Sequence, residues 1–452
     1  MGDKIISTPY VPHYFGEAAE QRLSASYGWL TAGVATSIAW PSADVWLTYN
    51  GDDFIIRGSK KNGNPSPPGI TTPCINDSVN DSLSKIYRFT SVLSWFHRGY
   101  VEVSGYTVSS HPILYGDVRK VYSDLGLITD IHFNCNHLPI IEEENTRIAL
   151  AFWREGMRLL RLHDNYAFLS FYKVIESQFN DGHGKKRKHW IEANIDHLTG
   201  RAAQRVKDLR DAAIDVSAHL FESGRCAVAH ASLDGKIIDP DIPEDRRRIS
   251  NDVELMQDLA KRYIAQELCV PNESILYETR DRLSPLHQLM PEKLLKEMQE
   301  SKAPDGLEFF NDLNASICVW PDSPPPGFEN MAIEIIEVAD GVALLSMTNK
   351  TKSIYLEFTL DFPNGKAHTQ LQNSGLRYRG TNVTEQDVVS FTTYFTHVLS
   401  NRIVEIRMLG IEPIDCEVVI PVNIIPMGLD EALKVNLQKH NKILAKKTYQ
   451  LY

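Results

Sequence analysis

The stretch RIALAFWREGMRLLRLHDNYAFLSFYKVIESQF, residues 147–179, decides the fold class of the middle of the chain. It contains no proline, is rich in strong helix formers and repeats apolar residues three or four apart, the period of a helix with one buried face. The polar HDN at 163–165 predicts a break into two helices. The same texture returns in WIEANIDHLTGRAAQRVKDLRDAAIDVSAHLFESGRCAVAHAS, residues 190–232, and in RISNDVELMQDLAKRYIAQELCV, residues 248–270. Between them DGHGKKRKH, residues 181–189, reads as a turn or loop, and DPDIPEDRRR as a second break. Residues 149–270 are therefore expected to form an all-α helical bundle.

The flanks read differently. Before residue 149, VWLTYN, DFIIRG and GYVEVSGY are short and strand-like, with turn-rich KKNGNPSPPG between two of them. SLSKIYRFTSVLSWFHRG predicts one helix covering a sheet, with Ile86, Phe89, Val92, Leu93 and Phe96 on its buried side. After a connecting segment at 271–304, strands are expected at MAIEIIEV, VALLSM, SIYLEFTLDF, NRIVEIRML and CEVVIPVNII, and a closing helix at DEALKVNLQKHNKIL. The fold class is thus multidomain α+β. A mixed or β-rich module spans 1–148, a helical domain 149–270 and a β-rich module with a terminal helix 305–452.

With 452 residues, 43% hydrophobic and 23% charged, the composition is that of a folded chain rather than a disordered one or a rod. The net charge of −11 excludes a surface that attracts nucleic acid everywhere, so any such site must be local. From residue 183 to 248 there are 13 Lys or Arg against 11 Asp or Glu, which makes this segment relatively basic. Lys185, Lys186, Arg187 and Lys188 form one run and Arg246, Arg247 and Arg248 another. Either run is a candidate for lining an RNA phosphate path or, equally, a solvated face with ordinary salt bridges. Six scattered cysteines without a CxxC pair fit a reducing compartment. The start of the chain has no signal-like apolar run, no apolar stretch approaches membrane-spanning length, and a cytoplasmic location is expected.

Phosphate loops of the GxxxxGK type, GxGxxG turns, GxSxG elbows and HExxH pairs are absent from the sequence, and no cofactor is expected. His132, Cys135 and His137 in IHFNCNH lack a matching second cluster, and no metal site is expected there. What remains is SGRCAVAHAS, residues 223–232, where Arg225 and His230 stand five apart on a predicted helix. On a regular helix five residues place two side chains about 140° apart, so a shared cleft needs a distorted helix end or a partner subunit. The plain alternative is a salt bridge for Arg225 and a core hydrogen bond for His230.

The spacing Arg225-Cys-Ala-Val-Ala-His230, together with SFYKVIESQ at 170–178, resembles the HEPN superfamily, and residues 149–270 are similar to bacterial HEPN proteins of the MauJ and anti-phage ApeA kinds. That resemblance implies a metal-independent endoribonuclease built from two copies, acting on single-stranded or structured RNA, with a homodimer or higher oligomer and a phage-derived activator as partners. His230 would be the acid/base for the ribose 2′-hydroxyl or the leaving oxygen, and Arg225 would stabilise charge on the phosphorane. Cleavage would leave a 2′,3′-cyclic phosphate. Glu176, His219 and Glu222 are secondary candidates for orienting these two. Family nucleases commonly carry a polar residue directly after the arginine, where this chain has Cys226. The alternative reading is a non-catalytic HEPN dimerisation, sensing or RNA-binding protein.

Overall fold

The computed structural model describes residues 9–15, 19, 21, 28–61, 64–75, 78–110, 135–160, 162–180, 182–229, 243–302, 304–319, 322–399, 403–418 and 427–449. The fold is mixed α+β, and the described residues fall into two compact units that meet in sequence between residues 278 and 279.

In the first unit β1 (His13–Phe15), β2 (Trp29–Thr36), β3 (Val45–Tyr49), β4 (Asp52–Arg57), β5 (Gly69–Pro73) and β6 (Val101–Ser109) form an antiparallel sheet in the order β1-β3-β4-β5-β2-β6. Asn50 and Gly51 join β3 to β4 with φ of 49° and 80°. Two consecutive positive values are what a two-residue hairpin turn needs to match strand twist, and Asn-Gly is the pair that adopts them most readily. Helix α1 (Val79–Phe96) buries Ile86, Phe89, Val92, Leu93 and Phe96, with Phe89 stacked on Phe54 of β4 at 4.4 Å between ring centroids.

Helices α2 (Glu144–Leu159) and α3 (Asp164–Glu176) follow, broken at His163 as the sequence predicts. Helix α2 packs on both α1 and α3. Trp95 of α1 meets Trp153 of α2 edge-on at 5.1 Å, and Trp153 meets Phe171 of α3 at 5.3 Å. Truncating an aromatic in such a core costs about 3–5 kcal/mol. The sheet-covering helix and the helices after residue 144 thus share one aromatic core, and the expected division at 148/149 runs inside this unit. Gly156 makes the α2–α3 approach possible, because a Cβ there would sit 2.6 Å from the Phe171 ring. Glycine inside a helix costs about 1 kcal/mol relative to alanine, and close packing offsets it here.

The unit continues with α4 (Gly184–Asn194), α5 (Gly200–Asp211), α6 (Val216–His219) and α7 (Pro243–Arg262), the last packed along α3 and α5. One correction concerns the basic run. The expected loop at 181–189 is helical from Gly184, because Lys and Arg are good helix formers and Arg187, Ile191 and Asn194, three and four apart, turn inward together. Helix α7 likewise starts at Pro243, inside the expected break, since proline fits a first helical turn.

The second unit is a closed barrel. Strands β7 (Asn314–Val319), β8 (Met331–Ala339), β9 (Val342–Thr348), β10 (Ile354–Asp361), β11 (Lys366–Thr369), β13 (Val404–Arg407) and β14 (Ile414–Val418) run in the order β9-β8-β7-β13-β14-β11-β10, and β10 pairs back onto β9. The short β12 (Gly375–Leu376) adds to β10. All described pairings are antiparallel except β11 with β14. In β10 Ile354, Leu356, Phe358 and Leu360 are buried and alternate with more exposed residues, the two-residue period of a barrel wall. Helices α8 (Glu292–Gln299), α9 (Glu385–Leu399) and α10 (Leu429–Tyr449) complete the unit. Among the described residues no helix is long and apolar enough to cross a membrane.

Candidate functional site

Helix α6 does not continue as a regular helix. After His219 the chain forms a π-helical turn over Leu220–Cys226 and returns to α geometry at Ala227–Ala229. Such turns occur mostly as single insertions in α-helices and re-aim the side chains around them. Gly224 permits this one, because a Cβ on it would lie 2.4 Å from the Phe168 ring of α3. The turn that carries Arg225 is therefore pressed against α3.

The consequence is a contact between Arg225 and the end of α3. Arg225 Nε donates to Glu176 Oε1 at 3.2 Å, and both side chains are about a quarter exposed. Arg187 of α4 donates to the same Glu176 oxygen through Nη1 at 2.9 Å. The Arg187 guanidinium lies 5.3 Å from the centroids of both Tyr172 and Phe221, which fixes its plane. One carboxylate thus holds two guanidinium groups. Burial works against the Arg225 charge, but Glu176 and Cys226 together outweigh it and keep the group above its ordinary value. Burial pushes the Tyr172 phenol up to about 12, with Arg187 pulling the other way, so it stays a neutral donor at physiological pH.

A second carboxylate plays a similar part at the start of the distorted helix. Asp252 of α7, 1% exposed, accepts from Arg205 Nε at 2.7 Å and lies 2.7 Å from His219 Nε2. His219 is thereby oriented by a buried acid. Asp215 caps the same helix, accepting from the Ala218 N–H at 3.0 Å, and pairs with Lys188 at 3.0 Å.

Of the sequence candidates, the structure brings together Arg225, Glu176 and Arg187, and places His219 six residues before Arg225 on the same distorted helix. Glu222 is exposed. Lys185 and Lys186 are exposed on the first turn of α4 without an ion pair among the described residues, whereas Lys188 is engaged by Asp215 and Glu192. His230 lies outside the described residues. So do the side chains of Arg246, Arg247 and Arg248, whose backbone belongs to α7. Of IHFNCNH, His132 is likewise outside; Cys135 and His137 are buried. No group of three or more potential metal ligands occurs among the described residues.

Asp252 and Arg205 did not stand out in the sequence, although a signal for Asp252 was there. It falls on the apolar stripe Ile249, Met256 and Leu259 of its own helix, all buried, and a lone acid on such a stripe needs a buried partner.

No curated protein and no solved structure matches the chain. Residues 149–265, which include Glu176, Arg187, Arg205, His219, Arg225 and Asp252, match the family described as methylamine utilization protein MauJ.

Proposed function

We propose that this chain is a metal-independent endoribonuclease of the HEPN type, in which residues 149–270 supply the helical bundle and Arg225 binds the scissile phosphate. The observation that carries this reading is the shared carboxylate: Glu176 draws the guanidinium groups of Arg225 and Arg187 to one point at the protein surface. Two guanidinium groups that converge on one carboxylate oxygen present the donor set that a phosphate diester also takes.

In this mechanism the RNA phosphate replaces Glu176 on the two arginines. His230, five residues on, removes the 2′-hydroxyl proton or returns one to the 5′-oxygen that leaves. The oxygen attacks the adjacent phosphorus, the P–O5′ bond breaks, and the products carry a 2′,3′-cyclic phosphate and a 5′-hydroxyl. Arg225 stabilises the charge that builds on the phosphorane. Lys185 and Lys186 extend the cationic surface along α4. A second copy of the chain would complete the cleft, and the activity would act in the cytoplasm as an anti-phage effector released by a phage-derived activator.

A second reading is favoured by two features of the same site. Cys226 replaces the polar residue that commonly follows the arginine, and Glu176 already occupies Arg225. On that reading the chain keeps a HEPN-like surface for dimerisation, sensing or RNA binding and does not cut. Incubating the protein with a mixed RNA pool in EDTA, beside His230→Ala at matched oligomeric state, separates the two. The nuclease reading expects fragments with cyclic-phosphate ends from the wild type alone; uncut RNA with candidate activators present supports the binding protein.

A further inference from the structure

Away from the Arg225 cluster, the first unit contains a cavity of about 230 Å³ between the β3–β4 turn, α1 and α2. Its walls follow from sequence spacing. Lys85, Arg88, Phe89 and Val92 lie on one face of α1 at intervals of three and four, and Glu144, Arg147, Ile148 and Ala151 lie on one face of α2 at the same intervals. Phe54, Val92 and Leu150 line it with apolar surface. Tyr49 also lines it, but its hydroxyl is committed to the Pro139 carbonyl at 2.5 Å.

The charges around this space do not cancel. Lys85 pairs with Asp52 at 2.6 Å, Arg147 with Glu144 at 3.0 Å and Arg154 with Glu102 at 3.6 Å. Arg154 is further tied to Thr90 Oγ1 at 2.9 Å and the Tyr87 carbonyl at 3.1 Å. Arg88 is exposed at the rim and has no ion pair or hydrogen bond among the described residues. A neighbouring, larger space of about 710 Å³ shares Asp52, Lys85 and Arg88 and also carries Asp53 and Asp81. One unmatched cation therefore stands between an apolar cavity and an acidic exterior, an arrangement that admits a single negative charge and repels a second.

We infer that this cavity binds a small amphipathic monoanion, a carboxylate or sulfonate with an aliphatic or aryl body, whose apolar part lies on Phe54, Val92 and Leu150 and whose anionic group meets Arg88. The cavity is smaller than the roughly 300–1,000 Å³ of sites for drug-sized ligands, which restricts the body to a short chain or one or two rings. Bound there, the ligand would tie α1 to α2, the two helices that join the sheet to the rest of the unit. This inference is independent of RNA cleavage, and its test reads binding alone.

The test uses the full chain and the two-ring aryl sulfonate 5-dimethylaminonaphthalene-1-sulfonate, followed by fluorescence, with octanoate and octanol as competitors. The expected result is saturable binding of one probe per chain, displaced by octanoate and not by octanol at the same concentration. Arg88→Glu, at an exposed position, should weaken probe binding about tenfold or more. Ala151→Leu, which fills the cavity without changing its net charge, should weaken both probe and octanoate. Absence of saturable binding to the wild type would overturn the inference, as would an unchanged affinity in both variants or equal displacement by octanol and octanoate.

Discussion

Two carboxylates flank the distorted helix, and each holds two cationic or imidazole side chains at a different depth of burial. Asp252 is 1% exposed, and its partners Arg205 and His219 are only 22% and 9% exposed. Glu176 is 24% exposed, with Arg225 at 26% and Arg187 at 14%. Removing the carboxylate from a cluster in which it is fully buried strands its partners and costs about 3–5 kcal/mol, whereas a half-buried carboxylate that water still reaches contributes less. The first contact therefore fixes structure. The second holds Arg225 and Arg187 together where water still reaches it, and on the proposed function it would give way to the RNA phosphate.

The largest effect is expected at Asp252. Asp252→Ala should lower the unfolding free energy by about 3–5 kcal/mol in urea titration, because Arg205 and His219 lose a buried counter-charge. A loss below about 1 kcal/mol would make the two carboxylates equivalent. Next comes the π turn: Gly224→Ala should cost about 1–3 kcal/mol by forcing a Cβ into Phe168, and Phe168→Leu in the same chain should recover part of it. Simple additivity of the two substitutions would show that the contact does not shape the turn.

Asp215→Ala should remove about 1 kcal/mol by loss of the helix cap. The Ala218 N–H, then Lys188, holds the Asp215 carboxyl below its ordinary value. Its contribution is thus present above the unfolded value of about 3.9 and is lost as pH falls through the lower folded value, so the wild-type advantage over Asp215→Ala should vanish on that acid side. The smallest effect on stability belongs to Glu176→Gln, within about 1 kcal/mol. The same substitution should raise RNA affinity at low salt and steepen its salt dependence, because it removes the negative charge that Arg225 and Arg187 share. Equal RNA affinity in Glu176→Gln and wild type would remove the case for an exchangeable site.

Much of this was legible in the sequence where the determinants are local. The helical period of residues 147–179, the HDN break and the apolar face of α1 reappear at the expected positions. The strand at MAIEIIEV and the alternation in SIYLEFTLDF do as well. Local signals do not fix which strands meet. Closing the barrel depends on β9 pairing with β10 and on the parallel pairing of His368 with Glu417, and those registers are set by packing between distant segments. The sequence also gives no period for a π turn, which is one residue inserted against Phe168. The sequence offered Arg225 and Glu176 as candidates, but their direct contact and the part of Arg187 emerge only when α3, α4 and the turn at Leu220–Cys226 are packed together.

The measurement that bears most directly on the central claim compares RNA cleavage in EDTA by the wild type and Arg225→Lys, with candidate activators present and oligomeric state matched. Lysine keeps the charge but loses the planar fork that shares an anion with Arg187. The wild type should give cyclic-phosphate fragments and the variant at least about a hundredfold less, as expected for loss of a preorganised charge-stabilising donor. Equal cleavage by the two proteins, or fragments lacking the cyclic phosphate, would contradict it.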